Sequence, residues 1–411
     1  MRAVICLVAL VGCFNPTTNQ SCQYQCAAMG TPCPSGLSCV GGVCVAPGEM
    51  CMSIDGGVDA NDGRTGACGD GIRDPGEVCY GTPITVMTSG GPHDGQLADI
   101  DGDGDLDLVY VIAGQYVFHV LAGGIFSAAQ NGPTVNATRM LALDVDGDAH
   151  AELINGAANV ELWNHADTSF TRTGVFALTA GQDTVALATG LIAGTTPNVL
   201  ALGTSELWVL TIDASGALAF FAVRVSITDP RDLAAGRLDA DPLDDIVIAH
   251  GAGIDLHTAN ASGLATEVPL PVSGLVTGVA VADTDNDANL DVVFTQVTGT
   301  SGEIGVMRAM GGGAFASPTL SSDVPGLSGA IDTGTVDGDN LADIVAISTN
   351  PKAVLIALGR TDGTLAAPVE IALNATPSYL HAGNDFNGDN VSDIVVTDLA
   401  GQRIVILPSN P

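Results

Sequence analysis

Residues 99 to 107 read Asp-Ile-Asp-Gly-Asp-Gly-Asp-Leu-Asp, five carboxylates within nine positions. Crowding of this kind is costly: two carboxylates about 4 Å apart repel by roughly 4 kcal/mol at an effective dielectric near 20. The chemistry that resolves it is ligation of one hard cation. Oxygens at loop positions 1, 3, 5 and 9, here Asp99, Asp101, Asp103 and Asp107, can converge on such an ion, position 7 can add a backbone carbonyl, and the glycines permit the turn. Calcium suits the all-oxygen set; magnesium suits it less, because it demands strict octahedral geometry and keeps its waters. A lone acidic stretch can equally be a solvated turn, so repetition is what carries weight.

The loop repeats. Aligned on the ninth position, copies start at Asp99, Asp144, Gly190, Arg237, Asp283, Thr335 and Asp385, with spacings of 45, 46, 47, 46, 52 and 50 residues. Four copies hold complete ligand sets: Asp99/Asp101/Asp103/Asp107, Asp144/Asp146/Asp148/Glu152, Asp283/Asp285/Asp287/Asp291 and Asp385/Asn387/Asp389/Asp393. Two lack the first ligand and are expected to bind more weakly. Arg237 precedes Asp239, Asp241 and Asp245, where its charge can stand in for an ion, and Thr335 precedes Asp337, Asp339 and Asp343. The third copy, residues 190 to 198, has no carboxylate and reads as a structural repeat without metal.

Each loop sits between apolar runs. Asp107-Leu-Val-Tyr-Val, Asp245-Ile-Val-Ile-Ala and Asp343-Ile-Val-Ala-Ile follow the loops as short β-branched strands, and Leu141-Ala-Leu and Val279-Ala-Val-Ala precede them with smaller residues suited to a narrow axis. A third run follows, as in Glu206-Leu-Trp-Val-Leu, and then an outer one, as in Leu365-Ala-Ala-Pro-Val-Glu-Ile. Four strands per repeat at this period make propeller blades. The loops Asp-Ile-Asp-Gly-Asp-Gly and Asp-Phe-Asn-Gly-Asp, each followed by Asp-Leu/Ile-Val, resemble FG-GAP/VCBS repeats, which integrin α-chain propellers share. That resemblance covers residues 80 to 411 and implies an all-β, seven-bladed β-propeller with calcium in its loops. The last repeat ends after its third run, Arg403-Ile-Val-Ile-Leu, while an outer-type strand, Tyr80-Gly-Thr-Pro-Ile-Thr-Val-Met, precedes the first loop. Both ends of the domain are expected to share the final blade and close the ring.

All ten cysteines lie at or before Cys79. Residues 1 to 12 carry one arginine and a short apolar run ending Leu10-Val11-Gly12-Cys13, which resembles a bacterial lipoprotein signal with Cys13 as the lipid attachment site. Eight further cysteines remain, at 22, 26, 33, 39, 44, 51, 68 and 79, and in an exported chain they argue for four disulfides of undetermined connectivity, with zinc as the lesser alternative. The expected order is a disulfide-rich segment 13–54, a Gly/Asp-rich linker 55–66, and a short piece 67–79 resembling cysteine-rich repeats of myxobacterial surface proteins.

With 46 acids against 12 bases the formal charge is −34, which opposes nucleic acid and anionic lipid surfaces and leaves the lipid as the membrane contact. Half of the acids, 23, fall within the repeated loops. The histidines, at 93, 119, 150, 165, 250, 257 and 381, form no metalloprotease motif, and there is no nucleophile elbow or phosphate loop. Trp163 and Trp208 occupy equivalent third strands and are expected to pack between blades. The resulting expectation is a monomeric, non-catalytic, calcium-binding propeller displayed on the cell envelope, where it binds a protein or glycan partner. The alternatives are a calcium-dependent lectin, and an envelope polysaccharide lyase or hydrolase whose sign would be an acid/base pair in the channel.

Overall fold

A computed structural model describes residues 76–410 apart from 167, 168, 214, 215, 261, 262, 266 and 322, together with Cys68 and the stretches 38–40 and 43–45. Two compact units divide the chain, Met1–Ile54 and Asp55–Pro411. In the first, Ser38–Val40 pairs antiparallel with Val43–Val45, setting Cys39 opposite Cys44. Cys13, the signal segment and the linker 55–66 lie outside the described residues.

The second unit is a ring of seven small antiparallel sheets, and no helix occurs among the described residues. The expected seven-bladed propeller is what the chain forms. Blade 1 runs Pro92–Ala98, Asp107–Ile112, Gln115–His119 and Gln130–Asn131, and the next five repeat that order from the axis outward. Second strands are buried over most of their length, and completely in Asp107–Ile112 and Asn198–Gly203, because both faces of each blade meet a neighbour. The cores therefore lie between blades. One joins Val109, Val111 and Tyr116 of blade 1 to Met140 and Leu153 of blade 2. Another joins Leu97, Leu108 and Tyr110 to Val395, Ile404 and Ile406 of blade 7. Each such side chain contributes about 1.5–3 kcal/mol on burial, and β-branched residues fill these flat, two-sided layers well. Trp208 is buried in the core between blades 2 and 3, and Trp163 packs against the core between blades 1 and 2, so both serve packing as expected.

Neighbouring blades are also clipped at the axis. Inner-strand carboxylates accept backbone N–H groups from the next blade: Asp94 from Met140 (3.1 Å), Asp232 from Val279 (3.0 Å) and Asp332 from Ala382 (2.9 Å, blade 6 to blade 7). No local motif announces these residues, which is why the sequence pattern passes over them.

Blade 7 is built from both ends. Tyr379–Asn384, Asp393–Asp398 and Arg403–Leu407 come from the last repeat, and the outer strand is Ile84–Met87, paired Ile84 to Ile406 and Met87 to Arg403. The closure expected from the truncated last repeat is thus present. It extends beyond the strand: Gly81 donates to the Pro408 carbonyl (2.7 Å) and Asn410 to the Cys79 carbonyl (3.0 Å). Cys79 is bonded to Cys68, and Val78 and Cys79 are buried against the propeller.

Candidate metal centres

The nine-residue loops join first to second strands. In five of them positions 4 and 6 take left-handed backbone: Gly102 and Gly104, Gly147 and Ala149, Asn286 and Ala288, Gly338 and Asn340, Gly388 and Asn390. Glycine and asparagine tolerate this region best, which explains their frequency there. The turns aim N–H groups inward, and the position 1 carboxylate accepts them. Asp99 takes Gly102 (2.7 Å) and Gly104 (3.0 Å), Asp144 takes Gly147 (2.6 Å) and Ala149 (3.1 Å), and Asp385 takes Gly388 and Asn390 (both 2.7 Å).

Position 9 anchors the loop to the sheet. Asp107 accepts Ile100 N–H (3.0 Å) with one oxygen and Leu121 N–H (2.7 Å), beyond the third strand, with the other. Asp245, Asp291, Asp343 and Asp393 repeat this arrangement. These carboxylates are almost fully buried, and burial pushes Asp107, Asp245 and Asp393 up to about 6 and Asp343 to about 7. Glu152 differs: Oε2 accepts Val145 N–H (2.9 Å), Oε1 is buried without a hydrogen bond, and burial raises its pKa to about 7. Asp101 Oδ1 is buried without a hydrogen bond as well. Buried acceptors of this kind are what a cation satisfies.

Four sets of carboxylate oxygens converge to within 4.8 Å of one another: Asp99/Asp101/Asp107, Asp144/Asp146/Glu152, Asp283/Asp285/Asp291 and Asp337/Asp339/Asp343. Each could hold a metal ion, and all-oxygen donors select a hard one. Asp103, Asp148 and Asp287, at position 5, stand outside these sets and accept the position 7 N–H at 2.9 Å. In blade 7, Asn387 contributes an amide at position 3, and the Ser409 hydroxyl donates to Asp389 (2.7 Å) or Asp393 (3.0 Å).

The weaker loops behave differently from each other. The Thr335 loop converges, and Asp337 also accepts the Gly76 backbone N–H at 2.7 Å. Asp239, Asp241 and Asp245 are not among the converging sets. Pro242 occupies position 6, where it supplies no N–H and cannot adopt a positive φ. Asp244 turns instead to Leu191 N–H (2.7 Å) in blade 3, whose own loop is held by Asn198 accepting Ile192 (3.0 Å) and Ala193 (2.9 Å). Arg237 is exposed and, among the described residues, forms no ion pair with these acids. The arginine found on a loop carboxylate is Arg308, from the end of a third strand, 3.2 Å from Asp285. Sequence spacing gave no signal for it.

Loops of adjacent blades are tied together. Position 8 donates to the position 1 carbonyl of the preceding blade at Ala151 to Asp99 (2.7 Å), Ala342 to Asp283 (3.1 Å) and Ser392 to Thr335 (2.9 Å). His150, at position 7, lies against Gly102 of blade 1.

In the channel His381 faces two carboxylates, Asp332 at 3.4 Å from Nδ1 and Asp94 at 3.7 Å from Nε2. Gln96 accepts Ala142 N–H (2.9 Å) through Oε1, so its amide nitrogen faces His381 Nε2 at 2.8 Å. Nε2 must then accept, leaving the ring proton on Nδ1, 3.4 Å from Asp332. Both nitrogens are engaged, and the ring joins blade 7 to blades 1 and 6.

No known family profile matches the chain, and no curated protein matches it. Solved structures do. BBS1N, determined in complex with ARL6DN, aligns with a TM-score of 0.56 at 12% identity over 81% of this chain and 97% of that one. An Agrocybe aegerita lectin that recognises non-reducing terminal N-acetylglucosamine aligns with a TM-score of 0.51 at 16% identity over 76% and 86%. At these identities the likeness is one of fold.

Proposed function

We propose that this chain is a non-catalytic, calcium-stabilised β-propeller of the FG-GAP/VCBS type, tethered to the cell envelope through Cys13, that binds a protein or glycan partner. The observation that carries it is the repeated convergence of carboxylates, at least one of them buried in every set, in loops that are themselves cross-tied between blades. An ion in one loop then supports its neighbour. Calcium is the hard cation that fits flexible, all-oxygen sites. The lectin neighbour supports glycan as the partner class. A glycan array and a pull-down, each run with calcium and with chelator, test the reading. Calcium-dependent capture of a defined partner is the expected result, and capture that is indifferent to calcium in a protein whose melting also ignores chelator would remove it.

A further inference from the structure

A cleft of about 490 Å³ opens where blade 3 passes into blade 4, walled by the connection 226–229 and by His250, Asp255, His257 and Glu267. That volume is in the range of small-ligand sites. None of these residues belongs to a metal loop. Asp255 and His257 alternate on one face of the third strand, and Glu267 directly precedes Val268, the cross-strand partner of Leu256. His257 is only 1% exposed, and among the described residues neither ring nitrogen makes a well-formed hydrogen bond, although the Ala265 backbone stands close to the ring. Burial holds its pKa below the ordinary value, so the ring is neutral and offers one N–H and one lone pair. A hydroxyl group, which both donates and accepts, answers both.

The cleft charge is one-sided. Among the described residues no lysine or arginine lines it, and the nearby Arg231 is engaged by Asp229 at 2.8 Å. Asp255, whose Oδ2 lies 3.3 Å from His250 Nε2, and the exposed Glu267 are the carboxylates that face a cation there. We propose that this cleft binds a small hydroxylated amine, an amino sugar or amino alcohol in its protonated form, with the ammonium against Asp255 and Glu267 and a hydroxyl against His257. This names a ligand class for the binding function proposed above, and rests on that reading only in treating the chain as a binder.

Isothermal titration calorimetry of the full chain in calcium buffer, with glucosamine, N-acetylglucosamine and glucose as probes, tests it. Glucosamine should bind at one site, and the two uncharged sugars should bind about tenfold more weakly or not at all, because a charge-assisted hydrogen bond is lost. Asp255→Asn and Glu267→Gln should weaken glucosamine by about tenfold while leaving the melting temperature unchanged. His257→Phe should abolish binding, and Asp255→Asn keeps the test independent of whether that variant folds. Absence of binding at millimolar glucosamine, equal binding of N-acetylglucosamine, or unchanged binding in both carboxylate variants would each overturn the proposal. A protein that fails these tests and still captures a partner in a calcium-dependent pull-down keeps its wider function and loses only this ligand.

Discussion

Gly76 donates its backbone N–H to Oδ2 of Asp337, 2.7 Å away and 261 residues further along the chain. In this loop Thr335 replaces the first carboxylate, and Gly76, from the segment closed by Cys68 and Cys79, donates to the second. The same carboxylate belongs to the set of oxygens that converges in this loop. Replacing both cysteines by serine should alter the calcium affinity of a single site and leave the others unchanged, as read by calorimetric titration. A uniform change across all sites would show that the turn acts on the ring as a whole.

Stoichiometry should follow convergence. Asp99→Ala and Asp144→Ala should each remove one bound ion, measured by metal analysis after dialysis, and lower the melting temperature by several degrees. An ion at ten times its dissociation constant contributes about 1.4 kcal/mol. Asp239→Ala should remove none, because Pro242 keeps that loop from assembling. Loss of an ion from the Asp239→Ala protein would contradict this account of the loop.

Arg308 competes for Asp285. The guanidinium is 45% exposed and the carboxylate 3% exposed, so the pair is screened and contributes at most about 1 kcal/mol. Arg308→Ala should strengthen calcium binding at the blade 5 loop by up to about fivefold. Weaker binding in that variant would mean that the arginine organises the loop instead.

The position 9 acids set a pH dependence. Their pKa values are raised in the fold, to about 6 for Asp107 and Asp393 and about 7 for Glu152 and Asp343, so the folded state holds these protons more tightly than the unfolded chain. Their stabilising contribution is complete below the ordinary carboxylate value near 4 and is lost as pH rises through about 6 to 7. In chelator, lowering the pH from about 8 to about 5.5 should therefore raise the melting temperature, while general acid unfolding still sets in further down. With calcium the trend should reverse, since ion and proton compete for the same oxygens. Parallel curves with and without calcium would show that no ion reaches them.

Closure can be cut. A chain beginning at Tyr80 retains Ile84–Met87 and should melt as a soluble monomer in calcium. One beginning at Ser89 leaves Arg403–Leu407 as a bare edge and should lose several kcal/mol or aggregate. Equal melting of the two would place the closure elsewhere.

Much of this was legible in the chain because each blade writes its own loop. The period, the buried second strand and the missing outer strand of the last repeat are all local patterns, and the structure contains the elements they imply. Pro242 was legible too, though its meaning depends on knowing that position 6 requires a left-handed backbone. Arg308, Gly76 and the His381–Asp332 contact were not. Gly76 and His381 reach their partners from outside the repeat or across a blade boundary, and Arg308 reaches Asp285 within blade 5 from the end of a third strand, where no repeated spacing marks it. The His257 cleft falls between those cases: its residues are close in sequence, but only the register of two strands brings them to one wall.

Because Ile84 lies beside Ile406 and Met87 beside Arg403, both ends of the ring leave blade 7 at the same edge. The molecule should therefore yield unequally to mechanical load. Tension drawn between its two termini peels that ladder one rung at a time. Tension between the leading segment and a partner gripped on a distant blade runs along the strand and loads every rung together, which demands far more force. On the tethered, partner-binding reading proposed above, a molecule pulled through its partner would hold where the same molecule stretched end to end would open.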